Sequence, residues 1–114
     1  MKKRLQSFVH AARGVKALFA SGVNARIQLV GAFVALVVGV AVGLSDGEWI
    51  AVVLCIGFVL STEAINSALE ELADEVSREH RERIGKAKDM AAAASLIASI
   101  VAVSVAAFLV SARL

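Results

Sequence analysis

Four polar side chains, Glu63, Asn66, Glu70 and Asp74, follow directly on an uncharged run and could do chemistry together. Their spacings of three, four and four residues place them within an arc of about 80° on an α-helix, so they form one polar stripe. Three carboxylates on one face repel one another unless a cation or a proton is shared between them, and the low dielectric near a bilayer sharpens this conflict. Magnesium with a bound polyphosphate would resolve it. The stripe therefore predicts an acidic functional site at a membrane surface.

The residue types within the stripe suggest different roles. Glu70 suits a magnesium ligand, because Mg²⁺ takes one or two protein carboxylates and completes its shell with water and phosphate oxygens. Glu63 lies one level deeper, where the apolar run has barely ended, and could act as general base toward a hydroxyl group. Lys88 could neutralise the charge of a transferring phosphate. The alternative, a merely solvated helix face, fits Glu71 better than it fits Glu63.

The composition indicates a membrane protein. The chain has 114 residues, 59% of them hydrophobic, and a mean hydropathy of +0.78, which a soluble domain of this size could not bury. Apolar runs predict spans over about 27–44, 48–66 and 90–110, with the second helix continuing past the bilayer to about 78. An amphipathic helix over about 3–20 is predicted to lie in the headgroup region or to pack on the acidic segment. The predicted fold is a single-domain, all-α membrane protein.

Small residues predict how the first span packs. Gly31, Ala35, Gly39 and Gly43 recur every four residues, a ridge that lets helix backbones approach closely in lipid. The turn into the second span is predicted at residues 45–47, with Trp49 as an interfacial anchor.

Charge asymmetry predicts the orientation. Residues 1–26 hold six basic and no acidic side chains, and the segment 78–88 adds five basic ones, so both regions are predicted to be cytoplasmic. The net charge of +2 without a nucleic-acid-binding motif predicts no nucleic-acid partner. The single cysteine, Cys55, excludes an intrachain disulfide.

Two runs carry a resemblance to a known family: EAINSALE at 63–70, followed by Asp74, and GKAKDMA at 85–91. Together they resemble the signature of the small bacterial lipid kinases, the prokaryotic diacylglycerol kinase and undecaprenol kinase family. The resemblance covers nearly the whole chain, from Phe8 through the third span. It implies a homotrimer in the bacterial inner membrane, with a surface helix and three spans per protomer and a cytoplasmic N-terminus. Its activity would be transfer of the γ-phosphate of MgATP to a membrane lipid alcohol.

The resemblance also implies site residues. Glu63 matches the catalytic base, and Glu70 matches a metal ligand, to which Asp74 is added. The implied nucleotide-binding positions are His10, Gly14, Asn66, Glu79, His80, Lys88 and Asp89. The implied lipid-binding positions are Arg26, Glu63 and Asn66. The stretch NARIQ at 24–28 resembles the undecaprenol kinase branch more than the diacylglycerol kinase branch.

The chain departs from the family pattern at two places. Gly22 stands where the family usually has a second metal-binding glutamate, so one magnesium ligand is missing or is supplied by Asp74, Asp89 or water. The chain contains no tyrosine, and His10 and His80 occupy the positions where the family commonly has one. Either imidazole could stack on adenine or simply be solvated.

Two other functions are compatible with parts of the pattern. A small proton-coupled multidrug exporter would use Glu63 as its proton carrier, but such exporters usually need four spans with the carboxylate inside the first. A catalytically silent membrane scaffold of the same fold is suggested by Gly22.

Overall fold

The computed structural model describes residues 1–113, which form four helices. They are α1 (Lys2–Ser21), α2 (Val23–Val42), α3 (Asp46–Val76) and α4 (Glu82–Ser111). Three of them, α2, α3 and α4, are long and apolar enough to cross a membrane. The prediction of an all-α fold with three apolar spans is therefore confirmed, whereas the trimer and a membrane-surface position of α1 stay predictions.

The connection between α2 and α3 differs from the predicted one. Gly43 ends α2 in the left-handed conformation, with φ of 70°, which glycine adopts without a steric penalty. Ser45 then caps α3: its Oγ accepts from the Glu48 N–H at 3.3 Å, and Glu48 Oε1 accepts from the Ser45 N–H at 2.9 Å. This reciprocal capping box draws Asp46 and Gly47 into the first turn of the helix. The turn therefore lies before residues 46 and 47 and not at them.

The two longest helices are longer than the hydrocarbon core of a bilayer is thick. The 31 residues of α3 give a length of about 46 Å, whereas the hydrocarbon core is about 30 Å thick. Helix α4 begins at Glu82, eight residues before the predicted start of the third span. Charged side chains on an extramembrane turn stay solvated, and an i,i+4 pair of Lys86 with Glu82 at 3.9 Å suits this helical start.

The helices form a small bundle in which α3 packs mainly along α4, and α2 packs on α3. Helix α1 touches the others only lightly. Within residues 1–113 the buried apolar side chains are the small ones of Ala25 and Ala98, while large ones such as Phe33 and Phe108 point outward. Outward-facing apolar side chains suit lipid as the surrounding solvent.

The small-residue ridge on α2 makes a close contact at one position. A Cβ on Gly39 would lie 2.7 Å from the Trp49 ring and 2.9 Å from the Leu44 side chain. Nothing lies within 4 Å of a Cβ on Gly31, and Gly43 serves as the helix end. The Trp49 ring therefore packs into the space that Gly39 leaves, which ties the start of α3 to α2.

Candidate functional site

A buried carboxylate and a buried hydroxyl meet between α3 and α4. Glu63 is 5% exposed and Ser95 is 9% exposed, and Ser95 Oγ donates a hydrogen bond to Glu63 Oε2 over 2.9 Å. The short connection 77–81 makes the two helices antiparallel neighbours, which brings position 95 opposite position 63. Within the described residues this is the one hydrogen bond to the Glu63 side chain.

Asn66 lies one turn closer to the C-terminal end of α3 and is 9% exposed. Its Oδ1 is buried and has no hydrogen-bond partner in the described part of the chain. A buried acceptor without a donor costs about 1–3 kcal/mol, so such atoms are uncommon in folded proteins. The free Oδ1 is suited to a hydrogen-bond donor that a ligand brings.

An ion pair joins the same two helices nearer the C-terminal end of α3. Lys88 Nζ lies 2.8 Å from Asp74 Oδ1, and both side chains are partly exposed. Asp74 lies beyond the apolar part of α3. Through this hydrogen bond and then through its charge, the Lys88 ammonium holds the pKa of the Asp74 carboxyl below its usual value.

The acidic stripe thus runs along the α3–α4 seam between two polar contacts, Glu63 with Ser95 and Asp74 with Lys88. The eleven residue steps from Glu63 to Asp74 span about 16 Å along the helix. Between Lys88 and Ser95, the segment 91–94 of α4 is four alanines. Of these four, Ala91 is half-buried and shares the helix face of Lys88 and Ser95, whereas Ala92, Ala93 and Ala94 are exposed.

The carboxylates fit a magnesium ion that takes few protein ligands. Glu70 is exposed and makes no hydrogen bond or ion pair within residues 1–113, and Asp74 follows one turn later on the same face. That part of the chain contains no group of three or more His, Cys, Asp or Glu side chains that could hold a metal ion. Mg²⁺ commonly binds one or two protein carboxylates together with water and phosphate oxygens. Two neighbouring carboxylates match that preference.

One of the N-terminal positions of the prediction, Gly14, lines a groove between α1 and α3. The groove has a volume of about 720 Å³ and is lined by Gly14 and Leu18 from α1 and by Ser67 and Glu71 from α3, among others. His10 is exposed on α1 and does not line it.

Gly22 and Arg26 lie at the junction of α1 and α2. Arg26 is exposed, and its Nε donates to the Gly22 carbonyl oxygen over 3.4 Å. A Cβ on Gly22 would lie 2.8 Å from the Leu18 carbonyl oxygen and 3.3 Å from Ala25 Cβ. A side chain at position 22 would therefore require the backbone to move, so the conformation of this junction suits glycine.

The remaining predicted nucleotide positions lie in the α3–α4 connection and near the start of α4. Glu79 and His80 are exposed in the connection between α3 and α4, where the His80 ring lies beside Gly85, and Asp89 is exposed on α4. In the described residues no side-chain hydrogen bond or ion pair joins these three, or His10, to the acidic stripe.

A cavity of about 310 Å³ lies between α2, α3 and α4, on the membrane side of Glu63. On α3 its wall begins at Leu60 and Val59, about one turn from Glu63, and reaches Val52, about 12 Å deeper than Leu60. The lining is apolar except for a few groups such as Gln28, whose Oε1 is buried and has no partner within residues 1–113.

Ser95 is the site residue that the sequence analysis missed. The segment 90–110 contains three polar residues, all of them serines, and antiparallel packing of α3 on α4 brings Ser95 level with Glu63. A search for the partner of a carboxylate in an apolar environment would have pointed to these serines.

Comparison with known proteins gives consistent matches over most of the chain. A family model described as prokaryotic diacylglycerol kinase matches residues 9–110. The undecaprenol kinase of Bacillus subtilis (strain 168) is 32% identical over 101 residues, which are 89% of this chain and 82% of that protein. The diacylglycerol kinase of Escherichia coli (strain K12) is 32% identical over 91 residues, 80% of this chain and 75% of that protein. The residues matched by the family model include all the predicted site residues, from His10 to Asp89.

Proposed function

Because this chain belongs to the prokaryotic diacylglycerol kinase family, we propose that it transfers the γ-phosphate of MgATP to the hydroxyl group of undecaprenol or diacylglycerol. The family identified from the sequence is thereby confirmed, and the chain is a multi-pass membrane lipid kinase by its family and its three apolar helices. The observation that most supports the proposed chemistry is the buried Glu63 carboxylate at the level where the apolar part of α3 ends.

Glu63 is the proposed general base. Its Oε2 accepts from Ser95, and its Oε1 has no hydrogen-bond partner within residues 1–113. Oε1 takes the proton of the lipid hydroxyl as the hydroxyl oxygen forms a bond to the γ-phosphorus and the bond from that phosphorus to the β,γ-bridging oxygen breaks. A base fixed at the lipid–water boundary suits a substrate whose hydroxyl group cannot leave that boundary.

Asn66 is assigned to holding the reacting groups beside Glu63. Its unpartnered Oδ1 lies one turn from the carboxylate, and a bound hydroxyl group would supply the donor that Oδ1 lacks. Phosphoryl transfer asks little covalent chemistry of the protein, so positioning of this kind accounts for most of the catalysis.

Phosphate binding is assigned to Lys88, with Glu70 and Asp74 as the residues that would hold Mg²⁺. The ion, when bound, neutralises charge on the phosphate oxygens. Lys88 is paired with Asp74, and a bound phosphate would compete for its ammonium group. The remaining assigned nucleotide positions are His10, Gly14, Glu79, His80 and Asp89.

The acceptor lipid is assigned to the cavity on the membrane side of Glu63, with Arg26 at the headgroup level. The cavity wall begins one turn below the carboxylate, so a lipid alcohol with its hydroxyl at Glu63 would have its chain enter there. The two relatives share the same identity with this chain, and the stretch 24–28 favours undecaprenol. A homotrimer in the bacterial inner membrane with cytoplasmic N-termini completes the proposal.

The test is a lipid phosphorylation assay with purified protein, radiolabelled ATP and magnesium, offering undecaprenol and diacylglycerol in parallel. Glu63→Gln should abolish transfer while the oligomer, measured by size-exclusion chromatography, stays intact. Glu75→Gln makes the same chemical change at an exposed position of α3 and should leave activity unchanged. Full activity of Glu63→Gln would refute the assigned base, and a wild-type protein inactive on both lipids would favour the silent scaffold.

A reporter fusion at each terminus separates the kinase from the exporter. Three spans put the termini on opposite sides of the membrane, whereas the four spans of an exporter put them on the same side.

A further inference from the structure

We propose that Ser95 is a positioning residue for phosphoryl transfer, whose hydroxyl group fixes the Glu63 carboxylate so that Oε1 is presented to the lipid hydroxyl. The inference rests on the proposed function, because it assigns to Ser95 a role only in a reaction that uses Glu63 as base. It adds a second protein group to the proton transfer, from a helix that otherwise contributes alanines at this level.

The hydrogen-bonding pattern of α4 distinguishes Ser95 from the other serines of the helix. Ser99 donates to the Ser95 carbonyl oxygen over 3.0 Å, and Ser104 donates to the Ile100 carbonyl oxygen over 2.7 Å. Ser111 likewise donates to a carbonyl oxygen of its own helix. A helical serine commonly bonds the carbonyl four residues back in this way. Ser95 instead donates across the interface to the carboxylate.

The neighbouring hydroxyl on α3 does not share this task. Thr62 Oγ1 lies 3.0 Å from the carbonyl oxygens of Phe58 and of Val59, so it is engaged within its own helix. In the described part of the chain, the orientation of the Glu63 carboxylate is therefore set by Ser95.

A single serine donor leaves one oxygen of the Glu63 carboxylate available to act as the base. A serine hydroxyl has one proton, so donation to Oε2 occupies one carboxylate oxygen and leaves the other as an acceptor. Glutamate has three rotatable side-chain torsions, and a charge-assisted hydrogen bond at its end restricts them before substrate arrives. Reacting groups held in this way lose less entropy on the path to the transition state.

Burial argues against a role in folding alone. A carboxylate and a hydroxyl, both at least 91% buried between two helices, carry a desolvation cost that apolar side chains of similar size would avoid. The pair is therefore better explained by the reaction than by the stability of the helix–helix contact.

The experiment compares four variants in the lipid phosphorylation assay, with kcat and the KM values for ATP and for lipid measured separately. Ser95→Ala should lower kcat about 10- to 100-fold and leave both KM values nearly unchanged, because it disturbs the base and not the binding of either substrate. Ser95→Thr retains a hydroxyl and should keep most of the activity. Ser95→Val has the shape of threonine without the hydroxyl, and its kcat should fall as in Ser95→Ala.

Ser104→Ala is the matched control, because its hydroxyl bonds only its own helix, and its kinetics should equal those of the wild type. Thermal unfolding in detergent shows whether each variant is folded, and the threonine–valine pair decides the matter if Ser95→Ala does not fold. Equal kcat values for Ser95→Thr and Ser95→Val would overturn the inference, since packing alone would then account for position 95. If the two kcat values are equal and the wild type is active, the role of Ser95 is refuted and the proposed function stands. An inactive wild type would overturn both the role of Ser95 and the proposed function.

Discussion

Replacing Asn66 by leucine is expected to stabilise the protein and to abolish lipid phosphorylation. The Asn66 side chain is buried, and its Oδ1 has no hydrogen-bond partner within residues 1–113. An unpaired buried acceptor costs about 1–3 kcal/mol, and leucine has nearly the same size without a polar atom to desolvate. The free energy of unfolding should therefore rise by about 1–3 kcal/mol in Asn66→Leu. A gain in stability with a loss of activity is the behaviour of a residue retained for function.

The measurement is reversible unfolding in mixed micelles, followed by circular dichroism, beside the phosphorylation assay. Asn24 is the chain's only other asparagine and is exposed at the start of α2, so Asn24→Leu is the matched control. Its free energy of unfolding should stay within about 0.5 kcal/mol of the wild type. A loss of 1 kcal/mol or more in Asn66→Leu would mean that the folded protein itself satisfies Oδ1, and it would refute this reasoning. Retained activity would refute the assignment of Asn66 to the site.

Three further predictions concern packing and charge. Gly39→Ala should lower the free energy of unfolding by about 1–3 kcal/mol, because its Cβ would lie 2.7 Å from the Trp49 ring. Gly31→Ala is the control and should not lower it, because nothing lies within 4 Å of its Cβ. Equal thermal unfolding of the two variants would contradict this prediction. Gly22→Glu should unfold at a lower temperature than the wild type and gain no activity, because its Cβ would lie 2.8 Å from the Leu18 carbonyl oxygen. A variant as stable as the wild type and more active would refute this prediction. Because the Lys88 ammonium lowers the pKa of Asp74, the ionised carboxylate stabilises the fold at pH values above its usual pKa of 3.8, and this stabilisation is lost as the pH falls below that value. The free energy of unfolding of Asp74→Asn should therefore depend less on pH between about 5 and 3 than that of the wild type. Identical pH profiles of the two proteins would exclude the ion pair as a stabilising contact.

The helices and the polar stripe could be predicted because both depend on local sequence. Uncharged runs long enough for a bilayer predicted α2 and α4, and the stripe of carboxylates predicted that α3 continues beyond the lipid. The α2–α3 turn was misplaced because Asp46 and Gly47 are turn residues by type, whereas Glu48, three residues after Ser45, completes a capping box that makes both helical.

The partners across the α3–α4 seam could not be predicted from either helix alone. Ser95 pairs with Glu63 because the two helices meet in one particular register, and helical periodicity contains no information about that register. The pair of Asp74 with Lys88 depends on the same register, and it joins two residues that the sequence analysis had assigned separately to metal and to phosphate. Asp74 and Lys88 have opposite charges and are both assigned to the binding of MgATP, and they lie close enough to pair with each other.

The incomplete hydrogen bonding of the buried polar groups supports the proposal that the α3–α4 seam is a binding site and not only a helix contact. Glu63 has one oxygen bonded and one free, Asn66 has an unpartnered Oδ1, and Gln28 has an unpartnered Oε1 at the wall of the adjoining cavity. A contact that served folding alone would either satisfy the oxygens of Asn66 and Gln28 or replace them by apolar groups, since each buried unsatisfied acceptor costs about 1–3 kcal/mol. The two buried atoms without a partner, Asn66 Oδ1 and Gln28 Oε1, are acceptors, and a lipid hydroxyl group is a donor that could reach them and Glu63 through the apolar cavity.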